Sequence, residues 1–412
     1  MIYRGEKRIA MLSVHSCPLG KIGERDTGGM SVYIRELSRE LEKHGFLIDI
    51  FTRRQCKEHP YLVNLGHNIR LIHLKAGPEE HLEKLQIYHH LNEFKYNLEL
   101  FRQESSLRYD VIFSHYWLSG WVAKNIQQLW NIPHVTMFHT LGTLKNNTRI
   151  GKPEPKLRIE TERLLTEKCQ NIIAPTEQEK KHLICSYATE AEKIKVIPCG
   201  VNLQLFRPLD KQESRLRLGF NDEKIILFVG RIDPIKGIDS LIKSVAYLKD
   251  KQKLRLVIIG DDAHSQTLLQ RLKKLVDDLD LKENVIFGGI VPQEELPHYY
   301  SAADVCSVVS HYESFGLVAL EALACGTPVV ARNVGILGQV IKSGKNGWVL
   351  NRDHSTMELA EKIELFLYER NNVSASYCRS AVIPFGWKNI AEQICKVLLN
   401  LIQTSSVSCL SD

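Results

Sequence analysis

The chain has 412 residues, of which 44% are hydrophobic and 25% are charged; this is the composition of a soluble globular protein, and the length predicts two to three domains. No apolar run approaches the roughly 18 residues that span a bilayer, and the apolar stretch at 9–14 is too short for the core of a secretory signal peptide. The ten cysteines are scattered, without a C-x-x-C pair or zinc-ligand spacing, so we expect buried single thiols in a reducing, cytoplasmic setting.

The excess positive charge of the chain lies entirely in its first half. Residues 1–200 contain 29 Lys and Arg against 23 Asp and Glu, whereas residues 201–412 contain 25 of each group. Nucleic-acid binding needs a dense basic stripe, so this mild excess predicts no nucleic-acid partner. It would suit an anionic small molecule or an anionic membrane surface, although an ordinary solvated surface explains the charge more simply.

Short apolar runs typical of strands alternate with helix-period segments along the whole chain. The first series of predicted strands comprises residues 8–14, 47–52, 69–74, 111–114, 134–138, 171–175 and 195–198. The second series comprises residues 225–229, 254–259, 284–287, 305–309 and 329–331. Apolar residues at helical spacing between Met30 and Leu41 predict the first helix, and residues 390–401 predict the last.

Strand–helix alternation predicts parallel sheets with helices on both faces, so the two series predict an α/β protein of two Rossmann-like domains. The polar connection at 198–208 is the predicted boundary between them, and the Ser-rich tail at 404–412 is expected to fray. Because ligands bind beyond the carboxyl ends of strands in open parallel sheets, the segments that follow each strand are candidate binding loops.

The loop at 230–237, with the sequence GRIDPIKG, follows one of these strands. Its Arg231 and Lys236 can converge on a diphosphate, the first as a planar fork of donors and the second as a point charge. Two fixed cations would stabilise a leaving nucleoside diphosphate as its charge grows in the transition state. A solvated loop with outward-pointing charges is an equally good interpretation of this motif alone.

The segment after the strand at 305–309 carries two glutamates eight residues apart, Glu313 and Glu321. Glu313 precedes a predicted helix that runs to about Ala324. The first amides of that helix could donate hydrogen bonds to hydroxyl and phosphate oxygens. Those amides belong to Phe315, Gly316 and Leu317. One carboxylate could hold a donor sugar and the other a ribose, because a carboxylate accepts hydrogen bonds from two hydroxyls. Simple stabilisation of the helix start is the alternative for Glu313, and a surface position is the alternative for Glu321, although apolar neighbours argue against the latter.

Two further loops are weaker candidates. The paired glycines Gly28 and Gly29, in the segment DTGGM at 26–30, would let the backbone approach a phosphate, with a plain tight turn as the alternative. His139 follows the strand at 134–138 and would face the crevice, although lone histidines are more often structural.

Metal chemistry has little support in the sequence. The pair Asp261-Asp262 follows the strand at 254–259 and is typical of a helix N-cap. No acidic pair has the context of a metal site, so we predict no obligatory divalent cation and no cofactor.

Five segments together resemble the GT-B retaining glycosyltransferases of the large family that includes sucrose-phosphate synthases and the inositol-phosphate N-acetylglucosaminyltransferase of mycothiol biosynthesis. The segments are GGM at 28–30, FHTLGTLKNN at 138–147, VGRIDPIKG at 229–237, VPQEELPHYYSAAD at 291–304 and ESFGLVALEALACGTPVV at 313–330. They occur in order across nearly the whole chain. One departure is Asn202, which stands where the family more often has Asp.

The resemblance implies two facing domains, with acceptor binding in residues 1–198, donor binding in residues 199–383, and a final helix in 384–412 that crosses back to the first domain. It also implies transfer with retention of anomeric configuration and without a metal. The implied route is front-face attack, in which the leaving phosphate helps to deprotonate the acceptor hydroxyl, so that no dedicated base is needed.

The resemblance implies donor-binding roles for residues of the second domain. Arg231 and Lys236 would hold the diphosphate, and Glu313 would bind hydroxyls of the transferred sugar. The amides of the helix start, named above, would lie nearby. Glu321 would bind the donor ribose, and backbone groups around Val291 would contact the base.

In the first domain, the resemblance implies that Gly28 and Gly29 approach the donor phosphates and that His139 contacts the transferred sugar. In the inositol-phosphate branch of the family, four side chains grip the phosphate of the acceptor. The matching positions here are Lys84, Tyr116, Thr140 and Arg158. A phosphorylated sugar acceptor would use the same positive pocket.

We therefore predict a hexosyltransferase with a nucleotide-sugar donor, UDP-linked in the first instance, and a phosphorylated polyol or sugar as acceptor. One alternative is the same fold acting on a lipid-linked acceptor at a membrane surface; the stretch at 94–103 carries only a modest basic face, which ranks this lower. A non-catalytic module that binds sugar nucleotides ranks lower still. Peripheral membrane contact and a homodimer are left open.

Overall fold

The computed structural model of the protein describes residues 6–20, 28–260, 266–368 and 373–408. Of the residues in the segments singled out above, Asp26, Thr27, Asp261 and Asp262 lie outside these ranges, as does the end of the tail at 409–412. The described residues form two sheets with helices packed on them, which confirms the predicted α/β fold class of two Rossmann-like units.

The first sheet is built from residues in the first half of the chain. Its strands are β1 (Lys7–Leu12), β2 (Phe46–Arg53), β3 (Leu62–Asn64), β4 (Ile69–Leu74), β5 (Val111–His115), β6 (His134–Met137), β7 (Asn171–Ala174) and β8 (Ile194–Val196). The helices are α1 (Gly29–Lys43), α2 (Lys84–His89), α3 (Leu91–Glu104), α4 (Tyr116–Trp130), α5 (Gly142–Asn147), α6 (Lys156–Lys168) and α7 (Glu177–Tyr187). The strand order is β3-β4-β2-β1-β5-β6-β7-β8, and every neighbouring pair except β3 and β4 is parallel. The carboxyl ends of the parallel strands therefore lie at one edge.

The second sheet repeats this plan. Its strands are β9 (Lys224–Val229), β10 (Leu254–Ile259), β11 (Val285–Gly289), β12 (Val305–Val308), β13 (Val329–Arg332) and β14 (Gly347–Leu350). The helices are α8 (Lys211–Arg217), α9 (Ile238–Ala246), α10 (Gln266–Asp278), α11 (Leu296–Ala302), α12 (Leu317–Ala324), α13 (Leu337–Val340), α14 (Thr356–Leu367), α15 (Ala375–Ser380) and α16 (Trp387–Ser408). The strand order is β11-β10-β9-β12-β13-β14, with all pairs parallel. The central neighbours β9 and β12 precede the two loops that carry the predicted donor residues.

Two short strands fall outside the predicted set. β3 has three residues and no fully buried side chain, so it lacks the apolar run that marks the other strands. β14 begins at Gly347, where a Cβ atom would lie 2.0 Å from the carbonyl oxygen of Val329. A glycine is thus required there for β14 to approach β13, although glycine weakens the strand signal in a sequence.

The last helix, α16, packs against α1 of the first unit. The rings of Tyr33 on α1 and Trp387 on α16 meet edge to face, with centroids 5.3 Å apart. Gly200 lies beneath the same indole, because a Cβ atom at that position would come within 2.3 Å of Trp387. Apolar side chains from both units, including Ile9, Leu227 and Ile390, belong to one continuous buried cluster.

Candidate active site

The loops after β9 and β12 meet at the carboxyl edge of the second sheet. Gly237 has a φ of +69°, and a Cβ atom there would lie 2.6 Å from the carbonyl oxygen of Val309. This close approach brings the ammonium of Lys236 to 2.6 Å from Oε1 of Glu313. The Ser310 hydroxyl donates to the same oxygen at 2.7 Å. The ion pair is mostly buried, with 19% and 18% of the two side chains exposed. The structure therefore unites two of the predicted site residues.

Arg231 lies on the same loop but takes no part in that ion pair. Its side chain is 45% exposed, and among the described residues it pairs with Asp233 at 4.0 Å. The side chain of Arg231 is therefore accessible to solvent, whereas that of Lys236 is mostly buried.

The N-termini of two helices, one from each unit, lie close together. α12 begins at Leu317, the last of the three residues whose amides were predicted at the helix start, and Gly316 is its N-cap with a φ of +111°. Phe315 is buried, and its carbonyl oxygen accepts from the amide of Ile336. A Cβ atom on Gly29, the first residue of α1, would lie 3.2 Å from Cδ1 of Leu317. Because both helices present the positive ends of their dipoles, the space beside Gly29 and Leu317 favours an anion.

Glu321 is a buried carboxylate on α12. The Tyr300 hydroxyl donates to its Oε2 atom at 2.8 Å, so Tyr300 is the partner that a carboxylate in an apolar helix requires. Burial raises the pKa of Glu321 to about 7, and the hydrogen bond from Tyr300 partly opposes that rise.

The loop near Val291 is tied to the first unit. Val291 is half-buried between β11 and α11. Two residues further on, Gln293 accepts a hydrogen bond at 2.5 Å from Arg35 of α1. On the same helix, Glu36 accepts a hydrogen bond from Asn202 at 3.0 Å. These contacts link the helix that follows Gly28 and Gly29 to the second unit.

His139 follows β6 in a left-handed conformation, with a φ of +59°. Such backbone is costly for a residue other than glycine and persists only when its surroundings hold it. Here Nε2 of His139 lies 3.0 Å from Nδ1 of His115, and the ring of Tyr33 meets that of His139 edge to face at 5.3 Å. Burial lowers the pKa of His139 to about 3, so its imidazole is neutral at physiological pH.

Three of the four predicted acceptor residues are in direct contact. Arg158 is 1% exposed and donates to both the carbonyl oxygen and the hydroxyl of Thr140, at 2.7 and 3.0 Å. Its guanidinium lies 4.8 Å from the ring centre of Tyr116. Burial raises the pKa of Tyr116, while the positive charges of Arg158 and Lys84 oppose the rise. Lys84, the first residue of α2, therefore acts electrostatically on the same phenol.

Two glutamates that the sequence analysis did not single out hold Arg158 in place. Its Nε atom donates to Glu162 at 2.7 Å, and NH1 pairs with Glu154 at 2.9 Å. Glu162 lies four residues after Arg158 on α6, and Glu154 lies four residues before Arg158, just ahead of the helix. This spacing of opposite charges could have revealed both partners.

Two residues near this cluster were not predicted. Glu179 is buried on α7, and neither of its carboxylate oxygens has a hydrogen-bond partner among the described residues. Burial raises its pKa to about 8. Tyr312, the residue before Glu313, has a pKa raised well above its usual range by burial and by the charge of Glu179, while Arg158 opposes the rise. The loop after β12 therefore lies close to the Arg158 cluster of the first unit.

In the described ranges, no group of three His, Cys, Asp or Glu side chains is placed to hold a metal ion. Of the helices in those ranges, none combines the length and apolar character needed to cross a bilayer.

Two Rossmann-like sheets, with loops at the carboxyl edge of the second lying close to the start of the first helix of the first, define the GT-B class of glycosyltransferases. Residues 210–380 match the family model described as glycosyl transferases group 1, and residues 27–205 match the model of glycosyltransferase family 4. The chain belongs to this family of glycosyltransferases, which confirms the resemblance of its motifs.

Relatives and solved structures agree with this membership. The D-inositol 3-phosphate glycosyltransferase of Kineococcus radiotolerans is 37% identical, over 96% of each chain. Its counterpart from Corynebacterium jeikeium is also 37% identical, over 95% of this chain and 96% of the relative. The structure of sucrose-phosphate synthase from Thermosynechococcus elongatus has a TM-score of 0.89 at 31% identity, over 97% of this chain and all of that one. Anabaena HepE in complex with UDP and glucose shares the fold, with a TM-score of 0.75 at 19% identity over 96% and 100% of the two chains.

Proposed function

We propose that the protein transfers a hexosyl unit from a UDP-sugar to a hydroxyl of a small phosphorylated polyol or sugar, with retention of anomeric configuration. The observation that carries the proposal is the contact between two clusters. Glu313 of the Lys236–Glu313 pair directly follows Tyr312 in the chain, and Tyr312 lies within electrostatic reach of Arg158. A site for an anionic donor and a site for an anionic acceptor would thus share one cleft. We assign acceptor binding to residues 1–198 and donor binding to residues 199–383. Residues 384–412 would form the final helix that packs back on the first domain.

The names of the relatives support a phosphorylated acceptor. The curated relatives at 37% identity are named for an inositol phosphate, and the structural neighbour at 31% identity is named for sucrose phosphate. A polyol phosphate and a sugar phosphate share a ring of hydroxyls beside one dianion. The cations Lys84 and Arg158, with the hydroxyls of Tyr116 and Thr140, would bind that dianion through charge-assisted hydrogen bonds.

On the donor side, Lys236 and Arg231 would neutralise the diphosphate as it leaves, which is where charge grows in the transition state. Glu313, released from Lys236, would accept hydrogen bonds from hydroxyls of the transferred sugar. Glu321 would accept from the ribose. The opposed N-termini at Gly29 and Leu317 would add two positive dipole ends beside the phosphates.

The environment of His139 supports a route without a protein base. An imidazole whose pKa is about 3 is a poor proton acceptor, so it would orient the sugar through a neutral hydrogen bond. The leaving phosphate would then take the proton of the attacking acceptor hydroxyl on the same face of the sugar. We propose that the two protein cations supply the charge stabilisation, so that no divalent metal is required.

Release of UDP tests this proposal. Purified protein is given UDP-glucose or UDP-N-acetylglucosamine together with inositol 1-phosphate, inositol 3-phosphate or fructose 6-phosphate, in the presence of EDTA. We expect UDP release that depends on one phosphorylated acceptor, and an α-linked product by NMR. Release that requires Mg²⁺, or a β-linked product, would contradict the mechanism; silence with every acceptor would contradict the substrate class.

A further inference from the structure

Arg53 is a buried cation that forms no ion pair with the described carboxylates. It ends β2, at the ligand-binding edge of the first sheet, and is 0% exposed. Its guanidinium donates to three backbone carbonyls, those of Ala76 at 3.4 Å, Pro78 at 2.6 Å and Glu80. Within the described ranges, no ion pair involves Arg53, and its Nε atom has no hydrogen-bond partner. Burial lowers the pKa of Arg53, and the negative charge of Glu80 opposes that shift.

Burial of a guanidinium is expensive unless hydrogen bonds replace the lost water. For Arg53 these hydrogen bonds come from the backbone of residues 75–83, a segment without regular structure between β4 and α2. Its rigid fork of donors suits carbonyls that point in different directions, whereas an ammonium would offer a single compact charge. The guanidinium therefore acts as a template that fixes the path of this segment.

Other contacts hold the same segment by its backbone and one side chain. Gly77 has a φ of +72°, and its amide donates to Glu93 at 2.7 Å. Arg54, next to Arg53, forms an ion pair with Glu79 at 3.2 Å. The segment is thus pinned to β2 on one side and to α3 on the other.

The segment leads directly into α2, whose first residue is Lys84. One turn later, Tyr88 of α2 stacks on Trp117 at 5.7 Å, beside Tyr116. A shift in residues 75–83 would therefore move Lys84 relative to the Tyr116 phenol, on which its charge acts.

We infer that Arg53 is a positioning residue that holds residues 75–83 in the shape that places Lys84 for recognition of the acceptor phosphate. This inference rests on the proposed function, because it assigns Arg53 to the acceptor side of that site. Because its side chain is fully buried, Arg53 would act through this segment and not through contact with the substrate.

The test compares Arg53→Met, which keeps the aliphatic length, with Arg379→Met. Arg379 is the matched control, because it also donates to three backbone carbonyls, those of Leu203, Phe206 and Ala324, but lies in the second unit. We expect Arg53→Met to raise the KM for the phosphorylated acceptor by about tenfold while the KM for the donor changes less than about twofold. Arg379→Met should leave the acceptor KM unchanged. If Arg53 acts through Lys84, the double variant of Arg53→Met with Lys84→Met should have the same acceptor KM as Lys84→Met alone.

Three kinetic outcomes would overturn the inference. The acceptor KM could be unchanged in Arg53→Met, the KM values for acceptor and donor could rise equally, or the two substitutions could multiply their effects on the acceptor KM in the double variant. Amide hydrogen exchange of residues 75–89 gives a readout that needs no substrate. Faster exchange confined to that stretch in Arg53→Met, or in Arg53→Lys if the first variant fails to fold, supports the positioning role, and unchanged exchange there overturns it. If the wild-type protein releases no UDP with any phosphorylated acceptor, the proposed function fails, while the exchange measurement still decides the role of Arg53.

Discussion

At the scale of single residues, the ion pair between Lys236 and Glu313 joins two loops that are 77 residues apart in the chain. We expect Lys236→Met to lower kcat/KM at least about tenfold, equal to about 1.4 kcal/mol of transition-state stabilisation, because the leaving diphosphate loses a fixed cation. Lys243→Met is the matched control, since Lys243 is an exposed lysine of α9 paired with Asp239. Steady-state kinetics on folded variants checks this, and equal activity of the two variants would refute the donor-loop assignment.

Glu179 predicts a pH dependence of stability. Its folded pKa of about 8 lies above the value of about 4.3 for an ordinary glutamate in an unfolded chain. Between these values the unfolded chain binds fewer protons than the folded one, so this residue makes stability fall as pH rises through that window. We expect Glu179→Gln to gain stability over the wild type, by the order of a few kcal/mol, as the pH rises from about 5 to about 8.

Urea unfolding at several pH values measures the difference between Glu179→Gln and the wild type. Glu177→Gln, on the exposed face of the same helix, is the control and should show a constant difference. A difference for Glu179→Gln that does not vary with pH would show that the carboxyl group is ionised in the folded protein.

Glu321 predicts a pH dependence of donor binding. Its pKa of about 7 means that the carboxylate, which would accept hydrogen bonds from the ribose, becomes fully available only above neutral pH. We expect the Kd for UDP-glucose, measured by calorimetry, to tighten between pH 6 and 8, and the dependence to vanish in Glu321→Gln. UDP-glucose is the suitable ligand because its diphosphate diester does not titrate in this range. An identical pH profile in Glu321→Gln would contradict the ribose assignment.

The site residues that the sequence predicts are those that belong to local motifs. Arg231, Lys236, Glu313 and Glu321 stand at fixed places after strands, so their neighbourhood could be predicted from strand order alone. Arg53 and Glu179 do not belong to any such motif. The partners of Arg53 are backbone carbonyls more than 20 residues away, and Glu179 has no hydrogen-bond partner in the described ranges that a pattern could reveal.

At the scale of elements, Gly237 lets the first donor loop approach the second. We expect Gly237→Ala to lower stability by about 1–3 kcal/mol and to reduce kcat/KM about tenfold, because the new Cβ would press on the carbonyl oxygen of Val309 and displace Lys236. Gly219→Ala is the matched control, since Gly219 has a φ of +76° but open space around the added carbon. It should show only the backbone cost, about 1–2 kcal/mol, and normal activity.

Thermal unfolding and steady-state kinetics on both glycine variants separate the two effects. If Gly237→Ala keeps full activity, the close approach of the loops does not position Lys236. If Gly219→Ala loses activity as well, the loss in Gly237→Ala reflects general destabilisation.

The predicted elements agree with the structure where a buried apolar run marks them. All twelve predicted strands correspond to observed ones, whereas β3 and β14 escaped prediction because one is exposed and the other begins with a glycine. α12 begins at Leu317, the last of the three residues whose amides were predicted at the helix start, and Gly316 before it has a left-handed φ that glycine adopts readily.

At the scale of the whole molecule, contacts between distant segments join the two units. Tyr33 packs on Trp387, and Arg35 binds Gln293, so that α1 touches both the last helix and the loop near Val291. The sequence predicted two Rossmann-like units, but pairwise contacts between distant segments leave no periodic signal. The proposed acceptor and donor sites depend on this arrangement, because the proposed acceptor residues lie in the first unit and most of the proposed donor residues lie in the second.

The central claim, that the acceptor is recognised through a phosphate, is tested most directly by one ratio. This is the kcat/KM for the accepted phosphorylated compound divided by that for its dephosphorylated form, measured in the wild type and in Lys84→Met. We predict a wild-type ratio of at least about a hundredfold, and a fall of about tenfold or more in Lys84→Met with little change for the dephosphorylated form. A wild-type ratio near one, or a ratio that Lys84→Met leaves unchanged, would contradict the account.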